Sequence, residues 1–442
     1  MLPCRPPADE PNASRPPPLP DPDVSRTSPH LPIPRRQVRG WPRNPPSVGM
    51  QPPPPFHPGK LLLASLLLTL SLTASAEVGV GELELRVGQS AVLEGPSAAL
   101  GQGMRTGLEA AFREVNAAGG IHGRQLRLIT RDDGYEPIRA ITNARALLHT
   151  DKVFALLGIV GTPTAKGILP LCEESRVPLL GSFTGAAILR SDTLRSTINL
   201  RASYDQETER LTQHLAGTRG FRRIACFYQN DAYGQSGLAG ITAALKRRGL
   251  DLAATGNYER NTTAVKTGLL DVRKGQPDAV VLVGTYKACA EFIRLARRIG
   301  MSNTVFANIS FVGTRALQKE LGHDAEGVIV SQVVPHPLSS NLPIVRDYQA
   351  SLQRQSPGAS PDWISLEGYL LGRFFAEMLR QTGPSPDRAS LLQTISGTST
   401  LDLGGWRLNF GPQDRQGSDD VYLTVFSGGE VRELEPAAAP DS

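Results

Sequence analysis

The sequence predicts an α/β protein built as two lobes with mainly parallel sheets. Two observations carry this. From residue 83 onward, short apolar runs alternate with helical patterns, and near residue 223 the alternation restarts. Strands that alternate with helices of about 10–15 residues imply right-handed βαβ crossovers, hence parallel sheets, and two such series imply two lobes.

In the first series Leu83 to Leu93 reads as a strand. Gly103 to Ala117 reads as an amphipathic helix, with Leu108, Ala111, Phe112 and Val115 at helical spacing and Gly119-Gly120 as a stop. Gln125 to Thr130 is a strand, and Pro137 opens a helix that ends near His149. Val153 to Val160 and Val177 to Phe183 are continuous apolar runs, the mark of strands covered on both faces, with a helix from Pro163 to Ser175 between them. The second series has strands at Arg223 to Tyr228, Val280 to Gly284, Thr304 to Ile309 and Val328 to Val334, with helices at Tyr233 to Arg248 and Lys287 to Ile299. The last third adds helices near 343–355 and 363–382 and short strands at Trp406 to Phe410 and Val421 to Phe426.

The chain has 442 residues, and twenty of its 36 prolines fall in the first 58. Such a segment cannot sustain backbone hydrogen bonding and is left out of the fold. Lys60, an apolar core from Leu61 to Leu72 and the small residues Ala74-Ser75-Ala76 read as a secretory signal peptide, expected over 50–76 with cleavage after Ala76. Twelve residues span about 18 Å as a helix, short of a bilayer core of roughly 30 Å. Residues 1–49 are either a mis-called start, Met50 being the true one, or a disordered proline-rich extension. Eight Lys/Arg and four Asp/Glu precede residue 77, so of the net charge of +5 the remaining chain keeps about +1. That excludes a global basic excess for nucleic acid. Cys172, Cys226 and Cys289 follow the leader without a CxxC pair, and small buried side chains are expected there.

The chain carries no complete catalytic pattern. Gly161-Thr162-Pro163-Thr164-Ala165-Lys166-Gly167 lacks the Gly-Lys-Ser/Thr ending of a phosphate loop, and Gly234-Gln235-Ser236-Gly237 stops one residue off a nucleophile elbow. The histidines at 122, 149, 214, 323 and 336 make no HxxxH pair, so no metal is expected. Asp132 and Asp133, being adjacent, point to opposite faces of a strand and suit a turn better than acid/base work. The chain is not expected to be an enzyme, and no cofactor is expected.

In open parallel sheets, ligands bind beyond the carboxyl ends of the strands. The loops there resemble those of the branched-chain amino-acid binding proteins of ABC importers, the type I periplasmic binding proteins. The matching segments are Leu93 to Pro96, Val115 to Gly123 (Val-Asn-Ala-Ala-Gly-Gly-Ile-His-Gly), Arg131-Asp132-Asp133, Gly158 to Thr164, Asn230 to Gly234 and Leu366 to Tyr369. The resemblance implies two Rossmann-like lobes joined by a three-stranded hinge, with lobe one at about 83–201 and 334–400, lobe two at 202–333 and 401–435, and a tail at 436–442. It implies a monomer that clamps a small ligand and delivers it to an ABC permease from the periplasm. The same fold also serves sensing receptors and regulators.

Gly161 and Thr162 end a strand, and Pro163 opens a helix, so backbone N–H groups and the helix dipole favour a carboxylate there; a plain helix cap is the other reading of Thr162. The resemblance implies that Thr162 holds the ligand carboxylate, helped by Phe183, Thr184 and Gly185. It implies that Tyr233 and the Thr285-Tyr286 segment close over the ligand from lobe two. One departure stands out. Where amino-acid binders of the family hold the ligand ammonium with a carboxylate, this chain has Ser310. Either Glu94 or Asp231 substitutes, or the ligand has no α-ammonium.

Overall fold

In the computed structural model, which describes residues 77–339 and 341–434, the first series gives five strands: β1 (Glu84–Ala91), β2 (Gln125–Asp132), β3 (Ala155–Leu157), β4 (Leu179–Leu180) and β5 (Thr197–Ile198). They form one parallel sheet of order β2-β1-β3-β4-β5. The expected extension, signal peptide and tail lie outside the described residues. β3 and β4 are shorter than the apolar runs that predict them, for a shared reason. Gly158 and Gly181 take positive φ (59° and 57°) at matching points, which breaks both strands, and pairing resumes as a single bridge between Val160 and Phe183. The break re-aims the two following loops together.

Helices α1 (Ala98–Ala117), α2 (Pro137–His149) and α3 (Thr162–Glu174) cover this sheet. α1 starts five residues earlier than the glycines suggest. Gly101 lies inside it because a Cβ there would sit 1.9 Å from the Val92 carbonyl oxygen, so this glycine permits close approach to β1's end rather than starting the helix.

The second series gives β6 (Ile224–Gln229), β7 (Thr255–Tyr258), β8 (Ala279–Val283), β9 (Val305–Asn308) and β10 (Ile329–Gln332), all parallel. Its helices are α4 (Tyr204–Thr212), which runs on into a π-type turn at 213–218, α5 (Ala232–Lys246), α6 (Lys266–Lys274), α7 (Tyr286–Arg298) and α8 (Thr314–Leu321). The chain then returns to the first lobe with α9 (Pro343–Gln355), α10 (Trp363–Thr382) and α11 (Arg388–Gly397), and the ribbon of β11 (Thr400–Asp402) with β12 (Arg407–Asn409). α10 packs along α1, bringing Phe375 within 6.2 Å of Phe112. Finally β13 (Tyr422–Ser427) adds antiparallel to β10, and β14 (Glu430–Glu433) antiparallel to β13, completing the order β14-β13-β10-β9-β8-β6-β7.

The chain therefore crosses between sheets three times, after β5, after β10 and after β12. The first and third crossings are stitched together: Asn199 N–H donates to the Arg415 carbonyl at 2.8 Å, and Gly417 N–H donates to the Asn199 carbonyl at 2.9 Å. Just past β12, Phe410 packs on Phe374 of α10, 5.6 Å between ring centroids.

α4, α6, α8, α11, β5, β7, β11 and β14 have no counterpart in the apolar pattern. α4 shows why. Its buried face includes Glu207, Thr208 and Thr212 as well as Tyr204 and Leu211, so apolar spacing is silent there. The legible sign is the capping box, Ser203 with Gln206.

Candidate functional site

Gly161 is the N-cap of α3, with φ 99° and no side chain to cap the helix, and Thr162 and Pro163 follow it. The helix start thus keeps backbone donors without a capping acceptor, at the positive end of the dipole. Thr162 is buried, and its hydroxyl lies 2.6 Å from that of Thr184, at the end of the neighbouring strand. Gly161 N–H donates to the Phe183 carbonyl at 3.2 Å, which locks the two loops to each other. Gly185 gives its carbonyl to Tyr204 N–H at 2.7 Å, and a Cβ there would press on Tyr204. So Gly161, Thr162, Phe183, Thr184 and Gly185 form one wall, with Tyr204 entering from the first crossing.

Lobe two supplies the opposite wall. Asp231 caps α5, its Oδ1 accepting from Tyr233 N–H at 2.9 Å and Gly234 N–H at 3.4 Å. That capping fixes Tyr233, which is fully buried between Tyr204 (5.5 Å between ring centroids) and Phe311 (4.6 Å). Phe311 in turn meets Phe183 at 5.1 Å and Tyr135 at 6.1 Å, both from lobe one. Rings from both lobes therefore interlock across the cleft, and the structure is a closed form. Thr285 is the N-cap of α7, and its N–H donates to the Tyr258 hydroxyl at 3.0 Å. Tyr286 reaches over to lobe one, where its hydroxyl accepts from Ala99 N–H at 3.4 Å. Glu94 is not drawn in: it is exposed, and among the described residues no hydrogen bond ties it to the cluster.

Ser310 lies at the centre of a buried ionic network that sequence reading missed. Arg201, on the first crossing, is 2% exposed, and Glu207, on α4, is 0% exposed. Arg201 pairs with Glu207 at 3.0 Å and with Glu367, from α10, at 3.4 Å. It also donates to the Ser310 hydroxyl, and its guanidinium lies 5.1 Å from the Phe183 ring centroid. Glu207 accepts from Ser310 N–H at 2.8 Å, from the Ser310 hydroxyl at 3.0 Å and from the Ser331 hydroxyl at 2.6 Å. Burial alone would lower the Arg201 pKa, but the carboxylates of Glu367 and Glu207 outweigh it and hold it raised. Arg190, behind the 184–186 loop, is pulled down to about 10 by burial and by the neighbouring Arg201 cation.

At the mouth of the cleft, a clasp joins the lobes. Arg260 bridges Asp231 at 3.2 Å and Glu136 at 2.9 Å, and Asn261 donates to Glu136 at 2.7 Å and to the Gly134 carbonyl at 3.0 Å. Asp132 and Asp133 shape the turn that presents Tyr135: Asp133 accepts from Ser90 at 2.7 Å and from Tyr135 N–H at 2.8 Å, while Asp132 takes Arg139 at 2.6 Å. Among the described residues, no group of three or more His, Cys, Asp or Glu is placed to hold a metal ion, and Cys172, Cys226 and Cys289 are buried free thiols.

Glu367 makes the network sensitive to pH. Burial raises its pKa from 4.5 to about 7, with Arg201 pulling the other way. A raised value means that the native state holds this proton more tightly than the unfolded chain. The resulting stability is present below about 4.5 and is lost as pH rises through about 7. The melting temperature is therefore expected to fall between pH 5 and 7.5, and Glu367→Gln to flatten that slope; an unchanged slope in calorimetry would disprove the assignment.

Two lobes, three crossings and a cleft sealed by rings from both sides are the frame of a ligand clamp. The family model described as Periplasmic binding protein matches residues 84–430. The chain belongs to that family. A possible leucine/isoleucine/valine-binding protein of Rhodopirellula baltica is 37% identical, with a TM-score of 0.76 over 82% of this chain and 98% of its own. The Leu/Ile/Val-binding protein of Escherichia coli K12 is 25% identical over 78% of this chain and 93% of its own length. Leu/Ile/Val-binding protein homolog 7 of Brucella abortus strain 2308 is 24% identical over 84% and 97%. This periplasmic binding protein is thus similar to the branched-chain type of its family, whose members bind solutes and are not enzymes. No helix of the described residues is long and apolar enough to cross a membrane.

Proposed function

We propose that this protein captures a small carboxylate, an amino acid or a related acid, by hinge closure, and presents the closed form to an ABC permease at the inner membrane. The carrying observation is the start of α3, where a helix N-terminus without a capping side chain stands beside the Thr162–Thr184 hydroxyl pair. Ligand docks there on lobe one, in the division expected from the sequence. Lobe two then brings Tyr233, Phe311 and the Thr285-Tyr286 segment across, and the Arg260–Glu136 clasp closes the rim. Because the rings interlock, ligand reaches Thr162 only while the lobes are apart. Micromolar binding needs about −8 kcal/mol net, within reach of a few charge-assisted hydrogen bonds plus apolar contact.

A thermal-shift screen against amino acids and small organic acids, followed by small-angle scattering, tests this. A hit at 100 times its dissociation constant stabilises by about 2.7 kcal/mol and should shrink the radius of gyration. Thr162→Val is expected to weaken that hit by roughly tenfold or more, the value of a hydrogen bond to a charged group. Stabilising ligands that produce no compaction would refute hinge closure.

A further inference from the structure

The chemistry of the ligand's second end can be read from the buried charges around the cleft, given the capture reading above. An ammonium taken out of water needs a carboxylate with free lone pairs. Asp231 has none to spare. Its Oδ1 caps α5, and its Oδ2 accepts from Gln229 at 2.6 Å and from Arg260 at 3.2 Å. Glu207 is spent on Arg201, on both donors of Ser310 and on Ser331. Glu367 faces Arg201 and lines a small enclosed cavity with Ser182, Leu200 and Trp406, at the hinge rather than among the rings. Glu94, the remaining candidate, is exposed.

Arg190 adds a buried cation that makes no ion pair of its own. Arg190 donates to the Gln416 side chain and to the carbonyls of Thr184, Ala186, Arg201 and Ala202, all neutral; among the described residues no carboxylate comes within ion-pair distance of it. Arg201 stands against Phe183, the residue before Thr184. A ligand cation at this wall would therefore have two guanidiniums close behind it and no carboxylate with spare lone pairs among the rings, while a ligand anion at Thr162 and Thr184 would meet a favourable field. The rest of the cleft is ring surface: Tyr135, Phe183, Tyr204, Tyr233 and Phe311.

We infer that the ligand is a monocarboxylate with an apolar body and no α-ammonium, and that Arg201, held on Ser310 and Glu207, is the residue that sets this preference. Matched pairs differing only in the α-amino group test it by calorimetric titration of the protein: 3-phenylpropanoate against phenylalanine, and 4-methylpentanoate against leucine. At least one deaminated acid is expected to bind, and its amino-acid counterpart to bind at least 100-fold more weakly. Arg201→Gln, which frees Glu207 and Glu367, is expected to shrink that ratio at least tenfold, whereas a merely structural role would weaken both members alike. If that variant does not fold, the wild-type ratio still decides. Leucine or phenylalanine binding as tightly as its deaminated partner, with compaction, would overturn this inference and leave solute capture standing. Failure of both acids to bind would overturn it too, and the absence of compaction with every solute in the wider screen would remove the capture reading as well.

Discussion

Glu207→Ala is expected to destabilise the native state by about 3–5 kcal/mol, the cost of leaving one member of a buried ion pair uncompensated. Arg201 is 2% exposed and cannot turn to water. Its other carboxylate, Glu367, sits at the longer distance of 3.4 Å and replaces only part of the lost charge. The loss would also strip the Ser310 N–H and the Ser331 hydroxyl of their acceptor. Since Glu207 opens lobe two and Glu367 belongs to lobe one, the damage falls on the joint between them. Urea titration reads the stability. A loss under 1 kcal/mol would mean that water reaches Arg201 and that the network is not dry.

Gly107→Ala is expected to cost about 2–4 kcal/mol, at the upper end of overpacking, even though alanine favours helices by roughly 1 kcal/mol. A Cβ on Gly107 would lie 1.9 Å from the Ser365 carbonyl oxygen and 2.5 Å from the Tyr369 nitrogen. Both are backbone atoms of α10, so no side chain can rotate away, and α1 and α10 must part. Parting them shifts Glu367, which lies between those two contacts, away from Arg201. Gly397→Ala is the control: nothing lies within 4 Å of its Cβ position, and its change should stay within about 0.5 kcal/mol. Equal effects at the two glycines would show that α1 and α10 pack more loosely than described.

The alternation of apolar runs located most strands, because a strand buried on both faces has to be apolar throughout, as β8 is from Ala279 to Val283. Loops at strand ends pointed to Thr162, Thr184 and Tyr233, which the fold does bring to one cleft. What stayed hidden has a common cause: polar residues buried by partners far along the chain. Nothing near Arg201 in sequence marks it as buried, since its partners Glu367 and Ser310 lie 166 and 109 residues away. Tyr204 and Glu207 sit on a helix that periodicity passes over, though the Ser203–Gln206 box announces its start. Ser310 looked like the loss of a charge; in the fold it is a ligand of two charges.

The order of elements along the chain has a consequence for how the protein is made. Tyr369 bonds Glu114 across 255 residues, and Thr424 bonds Val330 across 94. The first lobe waits for α10 to cover α1, and the second waits for β13 to pair with β10. Neither core can close until the last third of the chain has been synthesised. At about 5–20 residues per second, the nascent chain stays open for on the order of ten seconds or more after β1 emerges. Contacts so distant in sequence also close slowly once available. The topology is thus a built-in delay that keeps the polypeptide open until its synthesis is nearly complete.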